Sequence, residues 1–285
     1  MIPLRDSLPS KRLPAVTVAL IVVNLLVFVY QGYLSTQTES FADVNEAREI
    51  WYDEGLAPPP LLWQTTTSYG TYPLLGSSER SRSLSVVPAD QLFVTQYALI
   101  AGELLSGRDL PPAIPVPIWA TIFTSMFLHG GIMHLVGNML YLWIFGDNVE
   151  DSMGPIRYLI FYLLCGAAAA ASQIVINPGT SIPMLGASGA IAGVLAAYFV
   201  LFPRAKVLTL IPIFFFLRLV SIPALFLLGF WFILQVVNGV GSLGAGGGTA
   251  WFAHIGGFVA GALLVAVFRR PGTPLRLLDM IRSRR

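Results

Sequence analysis

The sequence predicts an all-α membrane protein, a bundle of six transmembrane helices with a large extracytoplasmic loop between the first and the second. Three observations carry that expectation. Of the 285 residues, 55% are hydrophobic and only 11% charged, against roughly 25% charged in a soluble domain, and the mean hydropathy is +0.71. Apolar stretches recur along the chain, bounded by glycine, proline or charged residues, and a span needs about 20 apolar residues. Positive charge gathers at the ends, at Arg5, Lys11 and Arg12 and again at Arg269, Arg270, Arg276, Arg282, Arg284 and Arg285, as it does on the cytoplasmic segments of membrane proteins.

The first span runs from Pro14 to Leu34. Basic residues precede it as in a signal peptide, but the apolar run is long for one and no small-x-small site follows closely, so it reads as an uncleaved helix. From Ser35 to Pro117 the chain turns polar, with Glu39, Asp43, Glu46, Glu49, Asp53 and Glu54, the run Pro58-Pro59-Pro60, and a Ser/Arg-rich piece from Ser77 to Ser85. Within it, Ala89 to Leu105 is amphipathic and predicts a surface helix. A connection of this length predicts some structure of its own. Trp119 to Leu128 is apolar and aromatic but too short to span. His134 to Val149 predicts the second helix. After a break at Gly154-Pro155, Ile156 to Ile176 predicts the third. Gly186 to Phe202, short and rich in glycine and alanine, predicts the fourth. Lys206 to Val220 is apolar but holds Pro212 and Arg218 among β-branched and aromatic residues, so it reads as a connection at the cytoplasmic surface. Ile222 to Val237 predicts the fifth helix, Gly239 to Thr249 a glycine-rich loop that is flexible by composition, and Trp251 to Phe268 the sixth.

The expected organisation is a cytoplasmic N-terminus with the first helix (1–34), an extracytoplasmic loop region (35–117), a helical core (118–268) and a basic cytoplasmic tail (269–285). Six spans place both termini on one side of the cell membrane. The basic ends and the Arg204/Lys206 turn make that side the cytoplasm.

Several chemistries are excluded at this level. The net charge is only +2, and the basic tail directly abuts an apolar span, so no nucleic-acid partner is expected. The single cysteine, Cys165, forms no internal disulfide and reads as a small buried apolar side chain. His129 and His134 lack the H-E-x-x-H pattern and a nearby carboxylate, so no metal is expected. Gly146-Asp147 lacks the first glycine of the G-x-G-D element of intramembrane aspartyl proteases, because Ile144 stands there, and no second aspartate lies in an apolar span.

A charge at the centre of a membrane helix costs on the order of 2.5–3.5 kcal/mol on insertion scales. The few polar residues of the core are therefore the candidates for chemistry: His129, His134, Asn138, Gln173, Ser188, Gln235, Asn238 and His254. Ser188, in Gly186-Ala187-Ser188-Gly189, opens the fourth helix, where unpaired N–H groups and the positive dipole end could hold an oxyanion. Taken alone it reads equally as a capping or packing serine. His254 is a titratable group in an apolar span, and a serine nucleophile needs such a base. Gly189 and Gly193 on one helix, and Gly257 and Gly261 on the other, have the four-residue spacing of close-packed faces. If those faces meet, Ser188 and His254 meet. His134 and Asn138, at i and i+4, share one helix face. Both can donate hydrogen bonds, to an oxyanion or to each other. His129 reads as a loop-stabilising histidine.

Together, His129…His134-x-x-x-Asn138, Gly186-Ala187-Ser188-Gly189 and Ala253-His254-Ile255-Gly256-Gly257-Phe258-Val259-Ala260-Gly261 resemble the rhomboid family of intramembrane serine proteases, over roughly Trp119 to Phe268. The resemblance implies a Ser188–His254 catalytic dyad without an aspartate. It implies His134, Asn138 and the Ser188 N–H as the oxyanion hole, and a site below the membrane surface reached by water from outside. It implies no cofactor, and single-span membrane proteins as substrates in the lipid bilayer. It implies the fifth helix and the loop after it as gate and cap, with Trp231 and Phe232 as candidate bulky gate residues. Two positions depart from the pattern. Trp119 is followed by Ala120 where members often carry arginine, and Ala192 stands where many members place an aromatic beneath the histidine ring. Two rival readings are an inactive relative that escorts membrane clients, which would lack the serine or the histidine, and a small-solute transporter, which would show internal repeats. The sequence does not give the oligomeric state or the substrate.

Overall fold

The computed structural model describes residues 1–10, 12–41, 44–61, 72–73, 83–213, 216–243 and 249–282. Lys11, Arg284, Arg285, most of the Ser/Arg-rich piece, and 244–248 of the glycine-rich loop lie outside them. In chain order the elements are β1 (Ile2–Asp6), α1 (Ala15–Leu34), β2 (Thr38–Phe41), α2 (Val44–Asp53), β3 (Tyr72–Pro73), β4 (Ser83–Pro88), α3 (Ala89–Tyr97), α4 (Ala101–Ser106), α5 (Thr121–Thr124), α6 (Ile132–Met153), α7 (Pro155–Ile176), α8 (Ser188–Leu201), β5 (Lys206–Ile213), β6 (Phe216–Pro223), α9 (Ala224–Gly241), α10 (Trp251–Phe268) and α11 (Arg276–Arg282).

The protein is mostly helical rather than all-α. Among the described residues, four helices, α1, α7, α9 and α10, are long and apolar enough to cross a membrane, and a fifth crossing results if Ile118–Phe127 and α6 count as one broken span. The sixth expected span, α8, has 14 residues. At 1.5 Å per residue that is about 21 Å, short of a hydrocarbon core of about 30 Å. Helix boundaries otherwise fall close to the sequence expectation, and α10 begins at Trp251 and ends at Phe268.

The described residues form two compact units. The first comprises Met1–Asn24, His129–Ile176 and Gly186–Arg285. At its centre lies α8, which touches α6, α7, α9 and α10. Its sequence is apolar on every side, the pattern of a helix buried all round, and 12 of its residues are buried. Small residues set the spacing. A Cβ at Gly257 of α10 would overlap the Gly189 carbonyl, and one at Gly261 would lie 2.5 Å from the Gly193 Cα. On the other flank of α8, a Cβ at Gly189 would lie 2.6 Å from Ala169, and one at Gly193 2.5 Å from Cys165. Cys165 is fully buried, as expected.

Polar anchors tie the N-terminal segment to this unit. The buried Glu150 carboxylate of α6 accepts hydrogen bonds from Val16 N (3.0 Å), Thr17 N (2.8 Å) and Thr17 Oγ1 (2.8 Å), at the end of α1 where the helix dipole favours an anion. Asp6 accepts from the Tyr198 hydroxyl of α8 and, at 3.0 Å, from Asn148 Nδ2 of α6. Burial raises the Asp6 pKa, and the Tyr198 bond opposes that rise.

The Lys206–Val220 connection has a regular structure that the sequence reading did not assign it. It is the hairpin β5–β6, and β1 adds to it as a third antiparallel strand in the order β1-β5-β6. The β-branched and aromatic content of the segment suits a pleated surface. Pro212 lacks an N–H, which confines proline to sheet edges. Pairing with β1 stops at Leu210, so Pro212 sits where β5 has β6 alone as neighbour.

The second unit comprises Leu25–Leu128 and Asn177–Leu185. Its sheet has the order β2-β4-β3, and its core gathers Ala47, Trp51, Ile100 and Leu110 with Leu56. The amphipathic stretch expected as one helix divides into α3 and α4. The break falls where Leu99 leaves the helix to exchange backbone bonds with Met184 (3.0 and 2.8 Å). Trp51 Nε1 donates to Pro111 O at 2.7 Å. Glu103, 3% exposed, accepts from Leu110 N at 2.9 Å.

Burial pushes the Glu103 pKa up to about 7, with the Leu110 bond opposing and the Asp109 charge adding to the rise. An acid with a raised pKa stays protonated in the folded state while the unfolded chain ionises. Stability of this unit should therefore fall as pH rises from the ordinary 4.5 to about 7, and level off above. Hydrogen exchange at Leu110 across that window should show the fall in wild type and flatten in Glu103→Gln.

Candidate active site

Ser188 is the first residue of α8, and the chain reaches it through Gly186, whose φ is +117°. Only glycine takes that conformation without strain. Space demands it too, since a Cβ there would lie 2.7 Å from His134 Cε1 and 2.8 Å from His134 Nε2. The first N–H groups of α8 have no acceptor within the helix, so the serine stands beside a set of free donors.

His254 lies one turn into α10. Its Nε2 is 2.7 Å from Ser188 Oγ, and its Nδ1 is 2.8 Å from Gln235 Oε1 of α9. The serine and histidine are half-buried, whereas Gln235 is buried. The Trp231 ring lies 6.0 Å from the imidazole, and the Trp251 ring meets it edge-on at 6.2 Å. Gln173 Oε1 of α7 accepts the Ala253 N–H at 3.3 Å, a donor in the first turn of α10 that it shares with Ala250 O at 3.1 Å.

His134 and Asn138 lie on the same side of α6, facing Gly186. A Cβ at Gly186 would lie 3.8 Å from Asn138 Nδ2, farther than from the His134 ring. Asn138 is buried and His134 exposed. The Asn138 amide nitrogen pairs with His129 Nε2 at 2.9 Å. An amide nitrogen carries two hydrogens, so one serves His129 and the other stays available toward Gly186. The His129 and His134 rings meet edge-on at 5.1 Å. His129, read from the sequence as stabilising a loop, is thus a buried partner of Asn138 on α6.

All four sequence-predicted residues come together here. The sequence marked Gln235, Gln173 and Trp231 as core polar or bulky residues but did not place them against His254 and its helix. With Ala192 in place of an aromatic beneath the ring, other side chains brace His254. Position 192 is fully buried, and the imidazole is held from α9 through Gln235 and flanked by Trp231 and Trp251. Phe232 stacks on Phe258, with centroids 4.4 Å apart.

Fold and site define a multi-pass membrane protein in which a short central helix presents a serine to a histidine of its neighbour. The Rhomboid domain matches residues 117–271, more than half of the chain, and the protein belongs to the rhomboid family. It is 28% identical over 213 residues to Rhomboid protein 1, mitochondrial, of Saccharomyces cerevisiae, covering 72% of this chain and 55% of the yeast protein. It is 34% identical over 151 residues to the rhomboid protease GluP of Bacillus subtilis, covering 51% of this chain and 26% of that protein. With presenilin-associated rhomboid-like protein A, mitochondrial, of Danio rerio, it shares 32% identity over 130 residues, covering 45% of this chain and 31% of that one. The chain thus spans about half or less of the length of these relatives.

The glycine contacts make a stability prediction. Gly257→Ala inserts a methyl group into the Gly189 backbone and should cost about 1–3 kcal/mol, seen as a lower melting midpoint in detergent. Gly137→Ala on α6, where nothing lies within 4 Å of the added carbon, should leave the midpoint unchanged or raise it, since alanine favours a helix over glycine by about 0.5–1 kcal/mol.

Proposed function

We propose that the protein is an intramembrane serine endopeptidase that cleaves transmembrane segments of single-span membrane proteins. The observation that carries this reading is the 2.7 Å approach of Ser188 Oγ to His254 Nε2, in a chain of the rhomboid family. Ser188 Oγ attacks the scissile carbonyl, and its proton passes to His254 Nε2. The carbonyl oxygen, now negative, is held by the Ser188 N–H, His134 and Asn138 Nδ2. His254 then gives the proton to the leaving amine, and water repeats the sequence on the acyl-enzyme to release the second product.

The same reading counts six crossings, the four long apolar helices together with α6, which is long enough at 22 residues but more polar, and the short α8. It places both termini in the cytoplasm and residues 35–117 outside, at the cell membrane. The basic ends support that orientation. Protease protection of tagged termini in sealed cells tests it, and digestion of either terminus from outside would reverse it.

With protein reconstituted in liposomes and a labelled single-span peptide as substrate, Ser188→Ala and His254→Ala should reduce cleavage to background. A fluorophosphonate probe should label wild type and fail on Ser188→Ala. Asn138→Ala and His134→Ala should each lower kcat by about 10²–10³, the usual effect of losing one oxyanion donor. Wild-type turnover by Ser188→Ala would overturn the reading.

A further inference from the structure

The two ring nitrogens of His254 have separate neighbours, Ser188 Oγ at Nε2 and Gln235 Oε1 at Nδ1. To accept a proton at Nε2, the neutral ring must carry its hydrogen on Nδ1. The group facing Nδ1 decides which tautomer forms. Gln235 is 6% exposed, and its own orientation is set one turn earlier on α9, where its amide nitrogen donates to Trp231 O at 3.3 Å. Turning the amide over would face its oxygen against that carbonyl and lose the bond. The oxygen therefore faces the imidazole, and an amide oxygen only accepts. Nδ1 must donate, which leaves the Nε2 lone pair toward the serine.

We infer that Gln235 is the positioning residue of the site, holding His254 in the tautomer and orientation that let it serve as base where Ala192 offers no ring beneath it. The inference rests on the proposed role of Ser188 and His254. Gln235 acts through His254 and does not touch substrate. A residue that merely filled space at this position would gain nothing from an amide, since an unpaired polar group in an apolar span is costly and leucine has nearly the same volume. No charged side chain competes for the ring from the helices around it. Among the described residues, α8 and α9 carry no charge. On α7, Arg157, Tyr158, Tyr162 and Cys165 lie at least eight residues from Gln173, about 12 Å along the axis or more. Tyr198 lies ten residues beyond Ser188 on α8, and His134 is the ionisable group that faces the site from α6, against Gly186.

The test compares wild type, Ser188→Ala, Gln235→Leu and Gln235→Glu, all full chain in detergent. Cleavage of a labelled single-span peptide and the rate of fluorophosphonate labelling are read against pH. Gln235→Leu should lower kcat and the labelling rate about ten- to a hundredfold, the usual effect of removing a group that orients a functional histidine, with KM unchanged. Gln235→Glu keeps an acceptor at Nδ1 and should recover most of the rate at alkaline pH. Its carboxylate favours the imidazolium, so the acid limb of the rate profile should move to higher pH. Wild-type kcat and labelling in Gln235→Leu would overturn the inference, as would a Gln235→Glu limb at the wild-type position. If Gln235→Leu does not fold, the Gln235→Glu limb decides alone. Activity persisting in Ser188→Ala would instead overturn the dyad itself, whatever the Gln235 variants do.

Discussion

The site depends on one steric fact: α8 and α10 touch backbone to backbone. In a bilayer no hydrophobic force draws apolar helices together, because lipid tails are as apolar as leucine, so association rests on close packing and interhelical hydrogen bonds. Gly189 against Gly257 and Gly193 against Gly261 remove the side chains that would hold the axes apart. The Ser188 side chain is only one bond past Cβ and has little reach. It meets an imidazole on the next helix only if the axes come this near. The glycine ladder is therefore a condition for the 2.7 Å serine–histidine contact and for the chemistry built on it.

The polar groups within that contact form a continuous chain. It runs from the Trp231 carbonyl through the Gln235 amide and the His254 ring to the Ser188 hydroxyl. Each member has a defined donor or acceptor partner, which is what keeps buried polar groups from destabilising an apolar interior. A parallel chain runs from His129 through Asn138 toward Gly186. The first ends at the Ser188 hydroxyl and the second at Gly186, two residues before it in the chain. A nucleophile needs a base on one hand and anion donors on the other, and these two chains approach Ser188 from different helices.

Much of this was legible in the sequence, and the exceptions share a cause. Ser188, His254, His134 and Asn138 stand out because polar residues are rare in apolar spans, and the glycine spacing on two helices announced that they pack closely. The Gln235–His254 pairing was not legible. It joins two helices across a turn, and α9 is apolar on nearly every side, so its rotation about its own axis leaves no mark in the pattern. The place of Ile2–Asp6 as a third strand on the hairpin β5–β6 was not legible, because it lies some 200 positions earlier in the chain. The helix expected over Ala89–Leu105 was broken by Leu99 pairing with Met184, again a partner far away in sequence. Local periodicity reports which face of a segment is apolar and not which distant segment will meet it.

The depth of the serine follows from the same helix that carries it. At the far end of α8 the Tyr198 hydroxyl reaches Asp6, which Asn148 also engages, and Glu150 closes the start of α1 close by along α6. Carboxylates and their partners gathered in this way belong at or near the aqueous boundary, since a bare charge deeper in the bilayer is costly. From Tyr198 back to Ser188 is ten residues, about 15 Å of helix. That is half of a hydrocarbon core of about 30 Å. On the proposed orientation, Ser188 stands near mid-membrane because α8 starts there, and α8 starts there because Gly186 turns the chain against His134. On the proposed function, the shortness of α8, which keeps it from counting as a span by length, is the feature that would put the serine at the depth of a transmembrane substrate.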